Sequence, residues 1–73
     1  MNSILVTGGA GYIGSEVAGQ LLNLGFQVVI IDNLSTGDRR RIPSGAVFYE
    51  CDISDKKVIQ NILDIHSIST VFH

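Results

Sequence analysis

Apolar positions come in two rhythms along this chain. The run Ile4-Leu5-Val6 is short, does not alternate and is closed by glycines, the signature of a strand covered on both faces. From Gly11 to Leu24 the rhythm changes: Ile13, Val17, Leu21 and Leu24 recur at steps of three and four, Ala18 and Leu22 widen the stripe, and Glu16, Gln20 and Asn23 lie off it. That spacing predicts an amphipathic helix. Gly25 supplies a left-handed stop, and Gln27-Val28-Val29-Ile30-Ile31 follows as a second, β-branched strand. The stretch from Asp32 to Gly45 is polar and holds the only proline, Pro43, so it reads as a connection with at most a short helical turn. Ala46 to Glu50 predicts a third strand, and Ser54 is placed to cap a helix whose first turn holds Asp55. Val58, Ile59, Ile62, Leu63 and Ile65 give that helix one apolar face, and Ser69 to His73 begins a fourth strand.

Strand, helix, strand, connection, strand, helix, strand is an α/β pattern, in which short crossovers force parallel strands and right-handed connections. The expectation is part of a doubly wound, Rossmann-type sheet in the order 3-2-1-4, with a ligand crevice outside the carboxyl ends of the first and fourth strands. The unpaired edge of the fourth strand predicts that the segment by itself is partly unfolded or prone to aggregate.

Composition narrows the function. A chain of 73 residues is one small domain at most, and 45% hydrophobic against 16% charged residues rules out disorder for most of it. A net charge of −2 gives no general attraction to phosphate backbones or anionic lipid, so neither nucleic acid nor membrane is expected as a partner. Arg39-Arg40-Arg41 is the only basic run and reads first as a solvated loop or short helix. A single cysteine, Cys51, excludes an internal disulfide or a cysteine zinc site, and His66 and His73 lack metal-ligand spacing. With no basic stretch ahead of the first apolar run, a secretory signal is not expected, and a reducing cytoplasm fits.

The chemistry gathers at Thr7-Gly8-Gly9-Ala10-Gly11-Tyr12-Ile13-Gly14, between the first strand and the first helix. Two frames fit. Gly9, Gly11 and Gly14 satisfy G-x-G-x-x-G, and Gly8, Gly11 and Gly14 satisfy T-G-x-x-G-x-x-G. In either frame the early glycines allow a tight turn, Gly11 lacks the Cβ that would hold a pyrophosphate off the backbone, and Gly14 lets the helix pack closely on the sheet. Free N–H groups and the positive end of the helix then face the phosphates. A turn chosen only for chain geometry would use the same residue types, but Asp32 ends the second strand 18 residues after Gly14, where a carboxylate can accept both ribose hydroxyls of an adenosine. The segment therefore reads as a dinucleotide site. A P-loop is excluded, because Ser15-Glu16 stands where the phosphate-binding lysine would be. The charge of Asp32 repels a 2′-phosphate and so favours NAD over NADP, unless Arg39 to Arg41 reach round to meet that phosphate.

Thr7 to Gly14, the run Asp32-Asn33-Leu34-Ser35-Thr36-Gly37 and the pair Asp52-Ile53 together make the chain resemble the extended short-chain dehydrogenase/reductases, and within them the NAD-dependent epimerases and dehydratases of nucleotide sugars. The likeness spans residues 1–73, which look like the N-terminal NAD-binding quarter of such an enzyme, with the rest of the sheet and the substrate domain outside them. The resemblance implies that Tyr12 and Ile13 lie over the pyrophosphate, that Asp32 holds the adenosine ribose, and that Asn33, Ser35, Thr36 and Gly37 line the adenosine side. Asp52 and Ile53 would meet the adenine. Glu16 departs from the histidine often found after Gly-Ser in such epimerases, and is expected to face solvent.

For the full-length protein the resemblance further implies a UDP-sugar substrate, a homodimer and 4-epimerase chemistry by transient oxidation at C4. In that chemistry a tyrosine serves as base, its pKa lowered by a lysine four residues on. No such pair exists here: Glu16 follows Tyr12 at that distance and Ile53 follows Tyr49, so the 73 residues are expected to show no turnover. A 4,6-dehydratase or decarboxylase of the same superfamily, or a non-catalytic NAD sensor, would share every feature named so far.

Overall fold

A computed structural model describes residues 3–35 and 37–73. The chain runs β1 (Ser3–Thr7), α1 (Tyr12–Asn23), β2 (Gln27–Asp32), a 3₁₀ turn (Arg39–Arg41), β3 (Val47–Glu50), α2 (Lys56–His66) and β4 (Ile68–Phe72). All pairings are parallel and the sheet order is β3-β2-β1-β4, as the element sequence predicts.

Because successive strand residues point to opposite faces, β1 and β2 divide their apolar side chains between two layers. Ile4, Val6, Val28 and Ile30 face α1 and bury against Ala18, with Leu21, Leu22 and Phe26 packed around them. Leu5, Val29 and Ile31 face α2 and bury against Ile62, joined by Val58, Ile59 and Leu63. One helix covers each face, which is what makes the sheet doubly wound. Residues from the connection, Ile42 and Ala46, complete the α1 layer.

Both helix stripes are narrower than the sequence suggests. Ile13 and Leu24 are 72% and 74% exposed, and at about 100° per residue they stand roughly 140° and 120° round the helix from Ala18. Ile65 is likewise 71% exposed. The last-turn place on the α2 stripe belongs instead to His66. Its ring meets Tyr49 edge-on, centroids 5.6 Å apart, with Nε2 2.7 Å from the tyrosine hydroxyl.

The α2 start is also displaced by one residue. Asp52 accepts the Ser54 amide at 2.9 Å, and the Asp55 amide donates to the Asp52 carbonyl, so residues 52–55 form a turn of their own. Ser54 is used up inside it. Asp55, accepting from the Val58 amide at 3.3 Å, is the actual cap. At the other end Ser67 closes α2 in the left-handed region (φ 50°, ψ 53°). Glycine adopts that conformation without the steric cost a side chain brings, so Ser67→Gly should raise stability by about 0.5–1 kcal/mol, read as an upward shift of the urea midpoint. A lowered midpoint would show that the cap carries no such strain.

Candidate functional site

Three strand ends converge on one side of the sheet. The ladder continues just past them: the Gly8 amide donates to the Ile31 carbonyl (2.8 Å) and the Cys51 amide to the Asp32 carbonyl (3.2 Å). The backbone thereby fixes where the glycine turn, Asp32 and residue 51 stand relative to one another.

Each glycine of the turn has its own reason. Gly8 sits at φ +70°, where only glycine is unstrained. A Cβ on Gly9 would lie 2.4 Å from the Ile30 side chain, and one on Gly14 would lie 2.3 Å from the Gly8 carbonyl oxygen. Gly14 therefore lets α1 close onto the turn itself rather than onto the sheet. Gly11 differs from all three: a Cβ there meets only the Gly8 oxygen, at 3.3 Å, and otherwise open space. It caps α1 in an extended conformation with no side chain to take up the first-turn N–H groups.

Facing this turn is Asp32. Its Oδ2 accepts the Ala10 amide at 2.9 Å and its Oδ1 the Leu34 amide at 2.8 Å, while Asn33 accepts the Ser35 amide at 3.0 Å. Each carboxylate oxygen has a lone pair remaining for an outside donor. Between the turn and these residues lies a cleft of about 290 Å³. That is near the lower end of small-molecule pockets, roughly 300–1,000 Å³, and suits one part of a dinucleotide rather than the whole.

Of the residues the sequence singles out, Gly8, Gly11, Asp32, Asn33, Ser35 and Ile53 line this cleft together. Tyr12 and Ile13 stand beside it in the first turn of α1, Tyr12 78% exposed. Gly14 lies beneath the turn, and Gly37 stands behind Asp32 against Ala10. Asp52 is at the rim next to Ile53, one oxygen held by the Ser54 amide, which with the Ser54 hydroxyl keeps its carboxyl below the usual range. Thr36 lies outside the described residues. Thr7, which the glycine motif includes but to which the sequence reading gave no role, also lines the cleft, as do Ile31, Cys51 and His73, which that reading missed. Thr7 and Cys51 were findable, since each ends or follows a strand at the carboxyl edge of a parallel sheet. The His73 Nδ1 lies 2.6 Å from the Thr7 hydroxyl. Burial, aided by the charges of Asp55 and Asp52, pushes the Cys51 thiol up.

The arginines are engaged elsewhere. Arg39 pairs with Glu50 and Arg40 with Asp38 at 2.9 Å, a contact that lowers the Asp38 carboxyl to about 2. Arg41 stands over the Tyr12 ring, 5.5 Å from its centroid. Two of the three cations thus already have carboxylate partners.

A bare glycine turn at a helix start with an acid opposite it, on a parallel sheet of this order, defines the dinucleotide-binding α/β class. Residues 4–73 match the model of the NAD dependent epimerase/dehydratase family, and the chain belongs to that family. It is 48% identical over 71 residues to a UDP-glucose 4-epimerase of Halalkalibacterium halodurans, a match covering 97% of this chain and 21% of that one. Its fold superposes with a TM-score of 0.94 on the UDP-glucose 4-epimerase of Thermotoga maritima solved with UDP-glucose, at 44% identity, covering 97% of this chain and 23% of the other. The Thermus thermophilus enzyme solved in complex with NAD gives a TM-score of 0.87 at 39% identity over 94% of this chain and 22% of its own. The chain therefore spans about a fifth of the length of these relatives.

Proposed function

We propose that these residues are the NAD-binding part of a nucleotide-sugar 4-epimerase that interconverts UDP-glucose and UDP-galactose. The observation that carries the reading is the pairing of the bare Gly11 position with the Asp32 carboxylate across one cleft. Gly11 and the first-turn amides of α1 would take the diphosphate, Asp32 the ribose hydroxyls, and Asn33 and Ser35 the adenosine side. Ile53 would lie against the adenine, and Asp52 would offer its second oxygen to the exocyclic amine. The chemistry the dinucleotide would supply when bound is to take hydride from C4 of the sugar and return it. Cofactor choice follows from the charges: Asp32 opposes a 2′-phosphate, and with Arg39 and Arg40 held by carboxylates, NAD is preferred to NADP. The acid/base tyrosine and lysine, the UDP-sugar site and the dimer contact are assigned to parts of the relatives' length that these residues do not match.

Cys51 reports on the site. Its raised pKa keeps the thiol protonated at pH 7.5, so iodoacetamide should modify it more slowly than free cysteine, with a rate that still climbs above the ordinary thiol range near ~8.5. In the full-length protein, NAD at ten times its Kd should slow that modification about tenfold, since only the unliganded fraction reacts. The same preparation should convert UDP-galactose to UDP-glucose. Alkylation indifferent to bound NAD would place the dinucleotide elsewhere, and a dehydrated 4-keto-6-deoxy product would assign the protein to the dehydratases instead.

A further inference from the structure

Gly37 was expected at the adenosine side as a lining residue, yet it does not line the cleft. Its surroundings suggest another task. A Cβ built on Gly37 would lie 2.9 Å from Asp32 Oδ2, 2.9 Å from the Ala10 Cβ and 3.0 Å from the Ala10 carbonyl carbon. Those contacts alone stand against an alanine there.

The Ala10 peptide cannot step aside. Ala10 is fully buried, its amide donates to Asp32 Oδ2, and its carbonyl accepts the Asp38 amide at 2.9 Å. Gly9 beside it is pressed onto Ile30. Of the three atoms a new methyl would touch, two belong to this clamped residue, and the third, Asp32 Oδ2, is the end of a side chain that can turn at the expense of its two amide hydrogen bonds. A side chain at 37 therefore moves Asp32.

We infer that Gly37 is a positioning residue: by leaving room behind the Asp32 carboxylate it sets that group for the adenosine ribose hydroxyls, and discrimination between a ribose and a deoxyribose depends on its missing side chain. The inference rests on the cofactor reading given above. It goes further in assigning ribose selectivity to a residue that touches no ligand.

The test compares ADP with 2′,3′-dideoxy-ADP by calorimetry on full-length wild-type protein and Gly37→Ala. Wild type should bind ADP at least about tenfold more tightly, as expected for hydrogen bonds to a charged acceptor. In Gly37→Ala the ratio should fall to within about twofold, through weaker ADP binding with dideoxy-ADP unchanged. A variant that weakens both ligands equally, or neither, overturns the inference, because a purely structural role would not touch the ratio. Wild-type protein that binds both ligands equally overturns it too. Wild type that binds no ADP instead removes the cofactor reading on which it stands. Should Gly37→Ala fail to fold, Ala10→Gly/Gly37→Ala removes the Cβ–Cβ contact and keeps the crowding of Oδ2, and the same ratio decides.

Discussion

Gly14→Ala should abolish NAD binding and lower the stability of the protein by about 3 kcal/mol. On helix propensity alone the substitution would be favourable, since alanine is preferred to glycine in a helix interior by ~1 kcal/mol. Contact reverses the sign. The added Cβ would lie 2.3 Å from the Gly8 carbonyl oxygen and 3.0 Å from both the Gly8 carbonyl carbon and the Gly9 Cα, all backbone atoms that no rotamer change can relieve. Nor can the turn retreat, because Gly9 already rests on Ile30 from the other side. Overpacking of this kind costs typically about 1–3 kcal/mol, and the absence of any yielding side chain puts it at the upper end.

Gly11→Ala is the control. Its Cβ meets a single oxygen at 3.3 Å, so the urea midpoint should stay close to wild type while NAD affinity falls, the methyl occupying the place of a diphosphate oxygen. Urea titration with calorimetry on both variants separates the two roles. If Gly14→Ala melts like wild type, the helix is not locked against the turn.

The sequence alone cannot assign these two roles. Spacing admits two glycine frames, and both are correct as far as spacing goes, because four glycines are needed: Gly8 for its φ, Gly9 for Ile30, Gly14 for the Gly8 carbonyl, Gly11 for the cleft. The doubly covered sheet was legible because Ile4 to Val6 and Val28 to Ile31 are apolar without interruption, and its strand order followed from the alternation of strands and helices along the chain. Helix faces were legible in their middles and not at their ends. Ile13, Leu24 and Ile65 satisfy a three-and-four rhythm yet lie off the packed line, and periodicity counts steps without weighing how far each drifts from the mean direction.

The cap of α2 was misread for a different reason. Asp52, Ser54 and Asp55 all have capping side chains, and the turn that Asp52 makes with the Ser54 amide settles which one remains for the helix. Asp32 itself was placed at the site from its position after the second strand. Its two backbone partners, and the dependence of its position on Gly37, come from a loop folding back over the turn, and no local pattern encodes that approach.

Asp32→Ala should therefore do more than remove a ligand to a ribose. Two amides lose their acceptor at once. One belongs to Ala10, which is fully buried, and stranding such a donor costs about 1–3 kcal/mol. The other belongs to Leu34, a non-glycine residue at φ 63°, a conformation that costs about 1–2 kcal/mol and that the bond to Oδ1 helps to hold. Freed of that bond, Leu34 relaxes and carries Asn33 and Ser35 out of the cleft, so part of the strain is recovered as the site is lost. The expected result is a destabilisation of about 2 kcal/mol together with a loss of NAD affinity of about 100-fold or more, the sum of lost charge-assisted bonds and a disordered loop. Asp32→Asn should recover little of either, because its amide nitrogen can serve only as a donor and must face either the Ala10 or the Leu34 N–H. Calorimetry and urea titration on the two variants test this jointly: affinity lost without any fall in stability would show that the carboxylate serves the ligand and leaves the architecture of the turn to its other contacts.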